Sequence, residues 1–172
     1  MTSSARGSGH ILGSLRSADG KGIVHMEARF DTDIEDLWSA LTDPRRLARW
    51  YGQIEGDLRP GGEYRARVFA SGWEGTGRVE ACEPPRRLLM TSKDSNEPYR
   101  EAMEATLTTD GDQTVLILDQ RDLPVDLLAA YGAGLQVHVE DLAAHIAGRG
   151  RADEARWDEL LPAYQDLAAN VG

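Results

Sequence analysis

His138, Asp141 and His145 put two imidazoles and a carboxylate into one short stretch, His-Val-Glu-Asp-Leu-Ala-Ala-His, and such groups bind metals or move protons. On a helix the three lie within roughly 60° of one another, but the two histidines stand about 10 Å apart along its axis. Zinc takes its nitrogen ligands at about 2 Å, so a straight helix cannot deliver both rings to one ion. The spacing also departs from HExxH, whose histidines are a single turn apart. No metal and no cofactor is expected. A solvated flank is the default role for these residues, and His138 is the one placed to become a polar contact inside a pocket.

Other motifs carry less chemistry. Gly72-Trp73-Glu74-Gly75-Thr76-Gly77 has the glycine density of a phosphate loop. Phosphate cradles lead straight into a helix N-terminus, whereas a strand pattern continues here, so the glycines read as permission for a bent strand. Ser71 sits in Ala-Ser-Gly, outside the G-x-S-x-G elbow, with no Asp/His pair to activate it. Cys82 precedes Pro84-Pro85 without an evident base, which reads as a buried or edge thiol. Glu101 and Glu104 fall on opposite faces of one strand and cannot form a carboxylate pair. Alternation places Met103, Ala105 and Leu107 on the core side and Glu104 outside. No catalytic residue is assigned.

The aromatic residues are more informative. Trp38, Trp50, Tyr51, Tyr64, Trp73 and Tyr131 have apolar bodies and polar tips, which suits a mostly apolar pocket. The expected ligand-binding set is Trp50, Tyr64, Trp73, Tyr131, Leu135 and His138, with Met90 and Met103 as adaptable filler. Gly132 and Gly134 each cost a helix roughly 1 kcal/mol relative to alanine, so a packing or space reason is expected for them. They mark where a cavity would open most easily.

These residues need elements to position them. Ile11–Arg16 reads as a strand, Asp19-Gly20 as a tight hairpin turn, and Gly22–Phe30 as an alternating strand with one wet face. Thr32 and Glu35 have capping-box spacing, with Ile34, Leu37, Trp38 and Leu41 on one helical face. Asp43-Pro44 starts a second short helix that Gly52 helps to end. Gly62–Ala70, Trp73–Ala81, Leu88–Ser92, Glu101–Thr108 and Thr114–Gln120 follow as strands joined by turns, an antiparallel meander. A long helix from about Pro124 to Gly148 carries the apolar stripe Leu128, Gly132, Leu135, Val139, Leu142 and Ile146. The strand-rich middle must cover that stripe. Trp157, Leu160, Leu161 and Tyr164 mark a last amphipathic segment, kinked or restarted at Pro162.

Composition bounds the class. The 172 residues suffice for one core, and 41% apolar content argues against disorder. A net charge of −10 makes nucleic acid and anionic membrane surfaces poor partners. A single cysteine fits a reducing compartment, and no apolar stretch has the length of a membrane span, so a cytoplasmic protein is expected.

The element order resembles the helix-grip fold of the START/Bet v 1-like (SRPBCC) superfamily. The match is closest to the bacterial branch similar to the activator of the heat-shock-protein-90 ATPase. Asp33-Ile34-Glu35-Asp36-Leu37-Trp38-Ser39-Ala40-Leu41-Thr42-Asp43-Pro44 is similar to that branch's opening helix and Asp-Pro junction. Leu47-Ala48-Arg49-Trp50-Tyr51 resembles the aromatic end of the second helix. Leu58-Arg59-Pro60-Gly61-Gly62-Glu63-Tyr64 resembles the Pro-Gly-Gly turn. Gly75-Thr76-Gly77-Arg78-Val79 and Pro84-Pro85-Arg86-Arg87-Leu88 resemble the strand, turn and strand that follow. The likeness spans about Gly22 to Gly148.

The resemblance implies an α+β fold, a curved antiparallel sheet wrapped around a long helix, with a cavity between them for a small hydrophobic ligand. Residues 1–9 are expected as a flexible arm, residues 10–150 as the helix-grip domain, and residues 151–172 as a helical extension packed on it. Binding without covalent chemistry is the leading expectation. A polyketide cyclase/dehydratase-like enzyme using a pocket Tyr or His is a second. An interaction or co-chaperone-like module, including a homodimer formed through the Trp157–Tyr164 face, is a third. The co-chaperones themselves carry an additional N-terminal domain, and with only a short stretch before Gly22 chaperone activation is not the expected role.

Overall fold

A computed structural model of the chain describes residues 11–70, 72–94, 100–151 and 155–171. The arm expected over residues 1–9 and the reading of Ser71 lie outside the described residues. Strands β1 (Gly13–Ala18) and β2 (Lys21–Phe30) form the first hairpin. Asp19 and Gly20 both take positive φ at its turn, 54° and 80°, the geometry in which the turn twist matches the strand twist.

Helix α1 (Ile34–Thr42) follows, but the capping box expected on Thr32 and Glu35 does not form. Asp33 is the N-cap, its carboxylate accepting from the Asp36 N–H at 2.8 Å. The Thr32 hydroxyl instead donates to the Asp36 carboxylate at 2.7 Å. An ionised carboxylate is the stronger acceptor for an orphan N–H and opposes the positive helix terminus, so it displaces the hydroxyl. Asp43 closes α1 and caps α2 (Pro44–Trp50), accepting from Arg45 N–H, with Pro44 where no N–H is needed.

The helix-ending role expected of Gly52 passes to Tyr51, whose N–H donates to Leu47 C=O at 2.8 Å. Gly52 starts β3 (Gly52–Gly56), where a Cβ would collide with the Arg67 carbonyl of the neighbouring strand. The remaining strands are β4 (Glu63–Val68), β5 (Glu74–Glu83), β6 (Arg87–Asp94), β7 (Glu101–Asp110) and β8 (Gln113–Leu123). They form one eight-stranded antiparallel sheet in the order β1-β2-β8-β7-β6-β5-β4-β3. Helices α1 and α2 carry the chain from β2 to the far edge, the one long crossover in an otherwise sequential meander.

One sheet face is charged, with Glu104 bridging Arg87 (2.6 Å) and Arg121 (3.0 Å) and His25 paired with Asp119 at 2.7 Å. The other face is apolar: Val24, Met26, Leu107 and Leu116 are almost wholly buried there. Against it lies α3 (Leu128–Ile146). It begins after a 3₁₀ turn, Val125–Leu127, and not at Pro124, whose backbone is extended. It ends in a Schellman motif: Gly148 at φ 76° donates to His145 C=O and Arg149 to Ala144 C=O.

The stripe is buried as expected from Leu128 to Leu142, and Ile146 is half-buried. A second side of α3 is buried as well, against α4 (Arg156–Ala168), which runs through Pro162 without a break. Leu160 and Tyr164 have no exposed surface and pack inside the chain, whereas Trp157 and Leu161 of the same segment are half-buried. Tyr164 lies over Gly132, where a Cβ would strike its ring. Its hydroxyl donates to Gln136 Oε1 at 2.6 Å and accepts from Gly13 N–H at 3.1 Å. Gly132 is therefore a close-packing glycine and not the site of a cavity opening.

Candidate functional site: a cavity between the sheet and helix α3

The concave sheet and α3 do not meet everywhere. Between them, and beneath α1, α2 and the start of α4, is a cavity of about 1360 Å³. That exceeds the roughly 300–1,000 Å³ usual for small-molecule sites. All eight residues of the expected set, Trp50, Tyr64, Trp73, Met90, Met103, Tyr131, Leu135 and His138, border it. Gly134 also borders it, and only Trp157 Nε1, at 3.9 Å, comes near the place its Cβ would occupy. Of the two helix glycines it is Gly134 that leaves space.

Each wall follows from local structure. Alternation on β4 turns Tyr64, Ala66 and Val68 inward while Glu63, Arg65 and Arg67 face water. The Tyr64 ring lies across Gly77 of β5, its register partner, where a Cβ would meet it. Met90 and Met103 are opposed on β6 and β7. Trp50 is 5% exposed and its indole N–H donates to Ala40 C=O at 3.0 Å, which fixes the ring and leaves an apolar face to the cavity. Exposed members of the lining, Arg59, Phe69, Gly72, Glu74, Arg151 and Asp158, mark where the cavity meets solvent.

The polar lining includes Tyr51, Tyr64, Ser92, Glu101, Gln120 and His138. His138 borders the cavity, while its Nδ1 is buried and has no hydrogen-bond partner among the described residues. Tyr51 meets it edge-on, ring centroids 4.9 Å apart at 65°. Burial, reinforced by the positive Arg151, pushes the His138 pKa down to about 4. Burial and then the nearby Glu101 push Tyr51 up to about 12. Tyr64 rises further still, through burial first and then Tyr51 and Glu101. All three groups are uncharged near neutrality. Burial also raises the Cys82 thiol, which borders the cavity and is not activated.

The stretch that began as a metal candidate disperses. His138 faces the cavity. Asp141, 1% exposed, meets Arg151 Nε at 3.4 Å, and the Arg151 guanidinium also stacks 5.4 Å from the Phe69 ring centre. His145 Nε2 accepts from Arg46 Nε at 3.2 Å. Among the described residues no group of three metal-ligating side chains converges.

Of the polar lining, Tyr51, Ser92, Glu101 and Gln120 escaped sequence reasoning. Tyr51 stood among the candidate aromatics, but its place at the end of α2 gives no periodic signal for facing. Glu101 follows from the same alternation that put Glu104 outside, and that signal could have found it.

A curved antiparallel sheet around a long helix, with a cavity between them, defines a helix-grip protein of the SRPBCC superfamily. Within it, the family described as "Activator of Hsp90 ATPase homolog 1-like protein" matches residues 31–147, and the chain belongs to that family. The crystal structure of CalU16 from Micromonospora echinospora is similar at a TM-score of 0.76 and 27% identity, covering 94% of this chain and 98% of that one. DynU16, described as a protein in the dynemicin biosynthetic locus, is similar at 0.70 and 27%, covering 79% of this chain and 51% of that one. EF2215 from Enterococcus faecalis, of unknown function, shares the fold at 0.72 and 15%, covering 93% and 92%. None of the curated proteins matches. Among the described residues no helix is long and apolar enough to cross a membrane.

Proposed function

We propose that this protein binds a small apolar or amphipathic molecule in the cavity between the sheet and α3. The observation that carries the reading is the cavity itself: about 1360 Å³, walled mostly by aromatic and aliphatic side chains, with a few polar groups among them and charged residues at its mouth. A chain closing on itself normally fills such a space, because close packing adds dispersion contacts and an empty volume forfeits them. Residues 10–150 and 151–172 act as one unit in this reading, since Leu160 and Tyr164 cover the side of α3 away from the cavity.

Native mass spectrometry of the purified chain, with equilibrium dialysis against small ring compounds, tests it. Saturable one-to-one binding that is lost in a folded Leu135→Trp variant is the expected result. Absence of any saturable ligand, with the variant indistinguishable from wild type, would overturn it.

A second reading, a cyclase- or dehydratase-like enzyme, draws on one specific feature. His138 is held neutral beside Tyr51, a base next to a proton donor. The likeness to DynU16, from a biosynthetic locus, is in keeping with it. Turnover of a keto compound that disappears in both His138→Gln and Tyr51→Phe would favour this reading over passive binding.

A further inference from the structure

We infer that a second, smaller pocket, between the C-terminal ends of α2 and α3, is an oxyanion site that takes a doubly charged group, inorganic phosphate or the phosphate of a small monoester. It shares only Trp50 and Arg151 with the large cavity and does not depend on what that cavity holds.

The pocket has a volume of about 270 Å³ and is bordered by Arg49, Trp50, Asp141, His145, Arg149 and Arg151. At about 30 Å³ per water, that is room for a tetrahedral oxyanion and several waters. Three guanidinium groups on its wall come from two helix ends and the segment after α3, so the fold and not one basic run gathers them. Among the described residues, the ion pairs at this end of the molecule join Arg46 to Asp36 at 2.8 Å and Arg151 to Asp141 at 3.4 Å. Neither Arg49 nor Arg149 takes part in one, so two positive charges stay uncompensated. The field of Arg49 reaches His145, whose pKa is lowered first by burial and then by Arg46 and Arg49.

Helix ends alone do not use up this charge. A helix C-terminus carries about half a negative charge, and two such ends meet here. The last carbonyls are already capped: Tyr51 N–H donates to Leu47 C=O, Gly148 N–H to His145 C=O and Arg149 N–H to Ala144 C=O. Two whole charges on Arg49 and Arg149 exceed the remainder.

Donors are also present in the number a phosphate needs. A guanidinium has five N–H groups in a planar fork that matches two oxygens of a phosphate, and Asp141 meets Arg151 through Nε. Arginine can only donate, so His145 Nε2 accepts from Arg46 Nε and the ring proton sits on Nδ1, a further donor on a residue that borders the pocket. A monoanion such as acetate would gain less from the two open charges, and a cation would be repelled. The chain's net charge of −10 repels a long polyanion, whereas a small ion answers to charges within a Debye length of about 10 Å.

The test is isothermal titration of the full chain at low ionic strength and pH 7.5 with inorganic phosphate, phenyl phosphate, sulfate and acetate. The expected result is saturable one-to-one binding of phosphate or phenyl phosphate with a dissociation constant on the order of 1 mM or tighter, with acetate at least about tenfold weaker. Sulfate should compete. Tighter binding of phenyl phosphate marks a monoester as the occupant, and tighter binding of phosphate the free ion. Arg49→Gln and Arg149→Gln should each weaken the dianion at least about fivefold, while Arg45→Gln, an exposed arginine of α2 outside the pocket, should leave it unchanged. Thermal melts report the folding of each variant, and the two pocket variants stand independently.

Proton NMR of His145 gives a readout that a purely structural role would not move. A dianion in the pocket offsets the positive charges around the ring, so its titration should shift to higher pH in sulfate than in chloride of equal ionic strength. Absence of saturable binding by any dianion overturns the inference. So does binding that persists undiminished in both Arg49→Gln and Arg149→Gln, or acetate bound as tightly as phosphate.

Discussion

Acid should weaken this protein through His138 over a pH range in which most proteins are indifferent. The folded ring has a pKa of about 4, against 6.5 for a free histidine. Below pH 6.5 the unfolded chain takes up a proton that the folded chain refuses. Stability is therefore complete above pH 6.5 and is lost as pH falls toward the folded value. Each pH unit across that interval costs about 1.4 kcal/mol, so the whole shift corresponds to about 3 kcal/mol by pH 4. That is a large part of the 5–15 kcal/mol that holds a typical domain.

The measurable window is narrower, because the isoelectric point of about 4.8 makes the chain poorly soluble near it. Between pH 7.5 and 5.5 the expected loss from this ring alone is about tenfold in the folding constant, a little over about 1 kcal/mol. Urea melts of wild type and His138→Gln at intervals across that window isolate it, since the other titrating groups are shared. His145 is also lowered, by burial and by Arg46 and Arg49, and contributes equally to both chains. The wild-type curve should fall away from the variant's as the pH drops. Parallel curves would refute the burial of a neutral imidazole and the argument built on it.

The paired glycines of α3 separate packing from space. Gly132→Val should destabilise by about 2–3 kcal/mol because its Cβ meets the Tyr164 ring, whereas Gly134→Ala should be neutral or stabilising by up to about 1 kcal/mol, read from urea midpoints. Tyr164→Phe strips the hydroxyl from Gln136, which is fully buried, and from Gly13 N–H, and should cost about 1–3 kcal/mol by the same measurement. Truncation after Gly150 uncovers that side of α3. The truncated chain should bind a hydrophobic dye and lose its cooperative melt, while a sharp, unchanged melt would argue that α4 is dispensable.

Much of the fold was legible because its signals are local. Asp19-Gly20, Asp43-Pro44 and Gly148 punctuate the chain where only particular backbone angles or a missing N–H are tolerated, and each does so in the structure. Alternation on β4 and β7 told that Tyr64 and Met103 face inward, and both border the cavity. The Thr32 cap went wrong at the same local scale, since hydroxyl and carboxylate compete one residue apart and only coordinates say which reaches the N–H.

Periodicity shows that a face is buried but not what buries it. The amino-acid sequence by itself determined that α3 needed an apolar partner and that the chain would be an α+β helix-grip protein. Only the tertiary structure decided that two partners share that helix, that Tyr164 takes the space above Gly132, and that Gln136 is buried with a hydrogen-bond network of its own. It likewise decided that His138 Nδ1 is buried without a hydrogen-bond partner among the described residues. The reason is physical: that environment is made by β4, β7, α2 and the end of α3, which are distant along the chain and meet only when the sheet curves.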